Sequence, residues 1–415
     1  MIDSKKVANF IAEKRKNLGL TQTQLAEKLN ISFQAVSKWE NGTSYPNVEI
    51  LFDLSKILKV TVDELLSGNT EIKEGLTYSK SGVDVSYTDI IKKEMSSYLH
   101  SEDKRILNNM GEFASLYDIK FENIKDPVLV LKAEEPGSKQ KLAMQYGYIE
   151  SVCHDMINHL VNDIIVMGAK PLAVLDTIVC GNAEKDTIKA IVKGISEACK
   201  NNKCSLVGGE TSIQPNVLEK GNYILTSSIA GIVERDNIIN GSKIEEGNSI
   251  IAISSNGLHT NGYSLVRMLM ESMPQVKNEF INGEPFIDSV MKPHLSYYDS
   301  LKDIFVDKGV LGMAHITGGG IKGNVCRIIP DGLSAKIDLD KINILPIFKY
   351  IKENGSIADE EMLSTFNCGV GLVLVVKTES KDKVIEHISK YHNCYEIGEI
   401  CKGKEKVDLY NELKW

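Results

Sequence analysis

His315-Ile316-Thr317-Gly318-Gly319-Gly320 and Thr365-Phe366-Asn367-Cys368-Gly369-Val370-Gly371 decide the reading of this 415-residue chain. Three consecutive glycines make a turn whose backbone N–H groups can come close to a ligand. Two segments of similar character stand upstream: Ser205-Leu206-Val207-Gly208-Gly209-Glu210-Thr211, and Asn256-Gly257-Leu258-His259-Thr260-Asn261-Gly262-Tyr263-Ser264. Gly208, Gly209, Glu210 and Thr211 follow a strand pattern, so a ligand-facing loop is expected there. His259 and Asn261 fall between a strand and a helix, where His259 can act as acid, base or donor to phosphate.

Outward from these segments, Val/Ile-rich strands alternate with helical patterns, a mixed α/β arrangement. Pro127–Leu131, Leu172–Leu175 and Ile224–Val233 read as strands, and Ile149–Gly168 and Thr187–Asn201 as helices. Asp155 and Asp163 lie on the first helix two turns apart, which puts two carboxylates on one face. A second unit begins near Ile244 with the strand Ser249–Ser254 and is expected to end in the strand Gly371–Val376.

In their order, the four glycine-bearing segments resemble the aminoimidazole ribonucleotide synthetase family, the ATP-dependent cyclo-ligases of purine biosynthesis. The resemblance covers about residues 76 to 410, including Tyr78–Asp84. It implies a two-domain α+β body at residues 77–243 and 244–415. The first of these domains would bind ATP and pair its sheet with a second copy, giving a homodimer. By the same resemblance Mg²⁺ would sit on Glu134, Asp155 and Asp163. ATP would meet Gly137, Ser138, Lys139, Gly208, Gly209, Glu210, Thr211, Gly318, Gly319 and Gly320. Catalysis would rest on His259, Asn261 and Lys139. One stretch departs from the family. Where the family has Asp-Gly-Val-Gly-Thr-Lys, this chain has Glu134-Glu135-Pro136-Gly137-Ser138-Lys139. Glu135 adds a charge and a Cβ, and Pro136 removes an N–H donor. Past Gln214-Pro215, Asn216-Val217-Leu218 replaces the family's Gly-Met-Tyr.

The first 68 residues read differently. Val7, Phe10, Ile11 and Leu18 recur at helical spacing until Gly19. Thr21 with Gln24 forms a capping-box pattern, and Ser32 caps a third helix carrying Val36 and Trp39 inward. Five short helices result. Leu20–Leu29 followed by Val36–Gly42 resembles the Cro/phage-repressor helix-turn-helix family. That resemblance implies binding to a double-stranded DNA operator, with Ser32, Phe33, Gln34 and Lys38 facing the DNA and Gln22 and Asn41 on phosphates. Residues 69–76 read as a polar linker. The expected fold class is an all-α helix-turn-helix domain followed by a two-domain α+β synthetase-like fold.

Composition bounds the function. The net charge is −8, with nine Lys/Arg against eight Asp/Glu in residues 1–70, so DNA contact needs a local basic face of that segment. Neither a signal-peptide pattern at the start nor an apolar run of membrane-spanning length is present, and a cytoplasmic protein without membrane contact is expected. The eight cysteines include no C-x-x-C pair, so no disulfide or zinc site is expected of them. Three functions fit. The leading one is a dimeric DNA-binding transcriptional regulator whose body senses ATP or a purine-pathway ribonucleotide. The second is an active phosphoribosylformylglycinamidine cyclo-ligase with an added DNA-binding domain. The third is an ATP-dependent kinase or ligase on another small substrate.

Overall fold

The computed structural model describes residues 3–69, 89–91, 93–95, 98, 102–108 and 112–415. Tyr78–Asp84 and all of the linker but Asn69 lie outside them. By contacts the chain divides into two compact units, Met1–Thr77 and Tyr78–Trp415.

Among the described residues the first unit holds five helices: α1 (Ser4–Asn17), α2 (Gln22–Lys28), α3 (Phe33–Glu40), α4 (Val48–Leu58) and α5 (Val62–Ser67). Their starts follow from capping chemistry. Thr21 and Gln24 form a reciprocal capping box, Thr61 and Glu64 form another, and Ser32 Oγ accepts from Ala35 N. Val7, Phe10, Ile11, Leu25, Val36, Trp39, Leu54, Leu58 and Leu65 form one apolar cluster. Burying each large side chain contributes about 1.5–3 kcal/mol. Leu18, expected inward, is the exposed C-cap of α1, because Gly19 at φ +67° turns the chain immediately after it.

The second unit has two main sheets. Strands β1 (Pro127–Glu134), β2 (Lys170–Cys180), β3 (Ser205–Ile213) and β4 (Tyr223–Glu234) order as β1-β4-β2-β3. Helices α6 (Lys139–Tyr146), α7 (Ile149–Ile165) and α8 (Lys185–Asn201) belong to this half. Residues paired across the sheet share a face, so Glu134, Ser227, Asp176 and Gly209 form one row. Ser227 Oγ meets Met156 Sδ of α7, so this row faces the helix.

The second half carries β5 (Ser249–Ser254), α9 (Tyr263–Ser272), the hairpin β6 (Phe280–Ile281) and β7 (Glu284–Pro285), then α10 (Phe286–Val290) and α11 (Tyr298–Leu301). There follow β8 (Val310–His315), α12 (Gly320–Val325), β9 (Leu333–Asp338), α13 (Pro346–Gly355) and α14 (Asp359–Thr365). The chain continues through β10 (Val370–Val376), α15 (Lys381–Ile388), β11 (Cys394–Lys402) and β12 (Val407–Tyr410). The six-stranded sheet orders as β12-β9-β11-β5-β10-β8.

Two sequence expectations change here. Residues 208–211 do not form a loop; they lie inside β3, parallel to β2, with Gly209 opposite Asp176. Glycine is required at 209 by packing, because a Cβ there would collide with the Asp176 carboxylate. The second half also does not end at β10, which is buried throughout between β5 and β8. Its unbroken apolar run is that of an interior strand, and two further strands complete the sheet on the far side of β5.

Candidate functional site

Helix α7 builds the site from its polar face. Asp155, Asn158, His159, Asn162 and Asp163 sit at three- and four-residue spacing. Three of them fasten the segment 292–297. Asp155 Oδ1 accepts from His294 N at 2.7 Å, Asn158 donates to His294 O at 2.6 Å, and Asn162 donates to Leu295 O at 2.8 Å. His294 is thereby held against α7. His315, the last residue of β8, and His259, in the turn before α9, complete a group of buried imidazoles with His159. His259 takes φ +59°, a left-handed backbone that turns its ring inward. It is therefore no solvated loop histidine.

The contacts within this group are specific. His315 Nδ1 lies 2.7 Å from Asp163 Oδ1, and its Nε2 lies 3.0 Å from His294 Nε2. His259 stacks on His294 with ring centroids 3.8 Å apart. His159 Nδ1 lies 3.0 Å from Thr260 Oγ1. Burial opposes the Asp163 charge, but the His315 hydrogen bond and neighbouring positive groups outweigh it and hold this carboxyl well below the usual range. Burial, with His315 adding to it, pushes His159 down to about 4. Burial likewise holds His259 and His294 well below the ordinary imidazole value, so both are neutral.

The expected metal ligands separate. Asp155 is fully buried and binds Lys139 Nζ at 2.8 Å, remote from solvent. Lys139 also donates to His259 O at 3.2 Å and Lys292 O at 2.6 Å, which engages all three ammonium hydrogens. Burial pushes Asp155 up to about 6 and Lys139 down, each opposed by its partner. The pair thus joins α6 to α7 and the 292 segment. Lys139 has no donor free for phosphate, and Asp155 does not share a site with Asp163. Glu134 and Asp163 do converge, but on an ammonium: Lys132 Nζ lies 3.1 Å from Glu134 Oε2 and 3.0 Å from Asp163 Oδ2. The residues present fit a tethered cation there better than Mg²⁺.

The remaining expected residues divide among three places. Gly137 packs beside Thr260 O, and Gly318 beside Asn261 Oδ1. Gly319 and Gly320 donate to Ser364 O and Thr317 O, and a Cβ on Gly320 would collide with Leu363 O, so packing accounts for these glycines. Ser138 precedes α6 without a side-chain capping bond. Gly208, Gly209 and Glu210 line a cavity of about 570 Å³ with Asp176 and Leu131, and Thr211 pairs with Ile178 in β3.

Family models described as "AIR synthase related protein, N-terminal domain" and "AIR synthase related protein, C-terminal domain" match residues 126–233 and 245–410. A model described as "Helix-turn-helix" matches 11–65. A phosphoribosylformylglycinamidine cyclo-ligase of Geobacter sulfurreducens is 38% identical over 348 residues, covering 81% of this chain and 99% of that protein. This chain belongs to the AIR-synthase-related family. A Methylobacillus flagellatus protein of the same name is 38% identical over 309 residues, 74% of this chain and 89% of its own length. The bifunctional purine biosynthetic protein purD of Dictyostelium discoideum is 33% identical over 393 residues, 93% of this chain; only 48% of that longer protein is spanned. Among solved structures, Escherichia coli HypE superposes with TM-score 0.58 at 14% identity, covering 78% of this chain and 93% of HypE. Thiamine-monophosphate kinase from Stenotrophomonas maltophilia gives 0.55 at 16%, covering 80% and 98%. These two likenesses establish the fold.

The AIR-synthase-related body is preceded by a helix-turn-helix whose third helix presents a free face. Ser32, Phe33, Gln34, Lys38 and Asn41 are exposed on or beside α3. Gln22 is placed differently from the expectation: its amide donates to Glu40 Oε2 at 2.7 Å, within an ion pair of Glu40 with Arg15. Lys132, His159 and His294 escaped the sequence reading. His159 and Asp163 are spaced i, i+4 on one helix, a ligand-like signal visible in the sequence. Lys132 shows itself only once β1 is set beside α7. Among the described residues no helix is long and apolar enough to cross a membrane.

Proposed function

We propose that this protein is a cytoplasmic, dimeric DNA-binding transcriptional regulator whose AIR-synthase-related body binds ATP or a purine-pathway ribonucleotide. Its parts are a helix-turn-helix domain at 1–68, a linker at 69–76, and body domains at 77–243 and 244–415. One observation carries the reading of the body as sensor more than catalyst: Lys132 stands between Glu134 and Asp163, where the family resemblance would put a metal ion. A tethered ammonium balances two carboxylates without the coordination that Mg²⁺ brings to phosphates. The full engagement of Lys139 by Asp155 and two carbonyls supports the same view. DNA reading falls to Phe33, Gln34 and Lys38, with Ser32 and Asn41 at the ends of the helix that presents them.

The dimer is supported by exposed apolar residues on one sheet face. Leu129, Leu131, Leu175 and Ile224 are exposed on the side away from α7. A second copy of the same sheet would cover them and bring two helix-turn-helix domains to two half-sites. A ligand in such a dimer alters DNA affinity only by preferring one arrangement of the pair, a coupling of about 1–3 kcal/mol.

A working cyclo-ligase remains the second reading, favoured by 38% identity across 99% of a relative of that name. One set of measurements separates them. Operator DNA selected from a random pool is titrated with protein at saturating ATP and at saturating formylglycinamidine ribonucleotide, and ADP formation is followed in parallel. A ligand-dependent operator affinity with little ADP supports the regulator. Robust turnover with operator binding indifferent to both ligands replaces it with the enzyme.

A further inference from the structure

We infer that His259, His294 and His315 form a binding site for a late first-row divalent cation of the zinc class, with Asp163 as the outer carboxylate that orients His315. This goes beyond the nucleotide reading and stands whether or not a nucleotide binds.

Three observations converge on it. One ring nitrogen from each histidine lies within 4.8 Å of the other two, and all three side chains are buried. The Nε2 atoms of His294 and His315 are 3.0 Å apart, close to the edge of about 3.3 Å that tetrahedral bonds of about 2.0–2.1 Å would impose. Second, the tautomer of His315 is set from outside. Nδ1–H donates to the Asp163 carboxylate, with Nδ1 and Oδ1 2.7 Å apart, so the Nε2 lone pair faces His294. Ligating histidines are held in this way by carboxylates. Third, the group contains unpartnered polar atoms in an interior that elsewhere leaves few. Both ring nitrogens of His259 and Nδ1 of His294 are buried without a hydrogen-bond partner among the described residues.

The donor set selects the ion. Imidazole nitrogens suit Zn²⁺, Ni²⁺, Co²⁺ and Cu²⁺, whereas Mg²⁺ prefers oxygen and keeps its waters. His159, Asp163 and His315 make a competing triad, but Lys132 already holds the second oxygen of Asp163. His259 must tilt off His294 to close on an ion. Residue 371 adds no side chain to crowd that ring, and the place a Cβ would take is filled by the Tyr297 hydroxyl. A bound ion would fasten the turn before α9, the segment after α10 and the end of β8 to one another.

The test uses the full-length protein, stripped with chelator, loaded with Zn²⁺, freed of excess by gel filtration and assayed for metal by mass spectrometry without nucleotide. The expected result is about one zinc per chain, undiminished by His387→Leu and by excess Mg²⁺. His315→Leu and His294→Leu are expected to weaken zinc at least about 100-fold, and Asp163→Asn by about 10–100-fold. Folding is checked by circular dichroism, and His294→Cys separates a ligand from a packing residue. That variant should retain Co²⁺ and add a thiolate charge-transfer band to its near-ultraviolet spectrum. No retained zinc in the wild type overturns the proposal. So does equal retention in wild type and His315→Leu, or displacement by Mg²⁺, or a Co²⁺ spectrum in His294→Cys without the thiolate band.

Discussion

Each unit of this protein buries an ion pair, and the two pairs are finished differently. In the helix-turn-helix unit, Arg15 Nε and Nη2 meet the two oxygens of Glu40 at 2.6 and 2.8 Å. Arg15 Nη1 donates to Leu20 O at 2.6 Å, and Gln22 donates to Glu40 at 2.7 Å. Both carboxylate oxygens are engaged. In the AIR-synthase-related unit, Lys139 is fully engaged, but Asp155 Oδ2 has no hydrogen-bond partner among the described residues, and neither has either ring nitrogen of His259. A buried charge costs several kcal/mol to desolvate and is tolerated when its bonds are complete. Completeness marks the first pair as architecture. The unfinished group around the second is where the zinc site is proposed.

The largest expected effect tests the finished pair. Glu40→Ala leaves the Arg15 guanidinium buried and unpaired, and should destabilise the first unit by about 3–5 kcal/mol. Denaturation followed by Trp39 emission in a Trp415→Phe background measures it, since Trp39 lies in that unit's core. A loss below about 1 kcal/mol would put the pair in the class of surface salt bridges and remove one side of the comparison.

A third buried acid sharpens the contrast, because burial favours its protonated form and no ion pair holds it among the described residues. Burial, with Glu210 adding repulsion, raises Asp176 to about 7. Its folded pKa therefore exceeds its unfolded value near 3.9. The folded state holds the extra proton, so this group's contribution is complete below about pH 4, falls as pH rises towards 7, and then levels off. Asp176→Asn should remove that slope, gaining up to about 4 kcal/mol at pH 8 over its value at pH 4 relative to wild type. Parallel urea titrations at the two pH values decide it. A wild type and variant with the same pH slope would show Asp176 ionised in the fold.

A smaller effect belongs to the exposed face of α3. Gln34→Ala should cost about 1–3 kcal/mol at a selected operator while leaving the salt-dependent affinity for random DNA nearly intact. Equal weakening of both would assign Gln34 to phosphate contact.

The legible and illegible parts divide along the same line. Caps and apolar spacing are local, so Thr21, Ser32 and the five helices could be read from neighbours a few residues apart. The strand at Ser249–Ser254 and the helix starting at Ile149 were similarly accessible through unbroken periodicity. The glycines of 208–211 do not declare a strand, because strand and loop both tolerate Gly-Gly, and only Asp176, more than thirty residues away, shows why a side chain is excluded at 209. By sequence Lys139 and Asp155 read as separate ligand candidates. Their pairing depends on α6 entering beside α7, which no spacing rule states. His294 sits in a segment without a motif, and that segment's place is fixed by four hydrogen bonds between it and α7 that exist only after folding.

The smallest effect concerns the one partner in the site that can leave. Lys132 is over a third exposed, so its bonds to Glu134 and Asp163 are far weaker locks than the Lys139–Asp155 pair. If the ammonium takes the cation position, Mg²⁺ should change the affinity of wild type for ADP very little. Lys132→Ala removes the tethered charge and leaves two carboxylates facing each other. Magnesium should then strengthen ADP binding about tenfold, or about 1.4 kcal/mol. Calorimetric titration of both proteins with and without Mg²⁺ reads the difference directly, and the metal-free arm controls for any loss of fold. A wild type whose ADP affinity already depends steeply on Mg²⁺ would mean that Lys132 moves aside for the ion. The site would then be incomplete by design at Glu134 and Asp163 as well, and the cyclo-ligase reading would gain over the sensor.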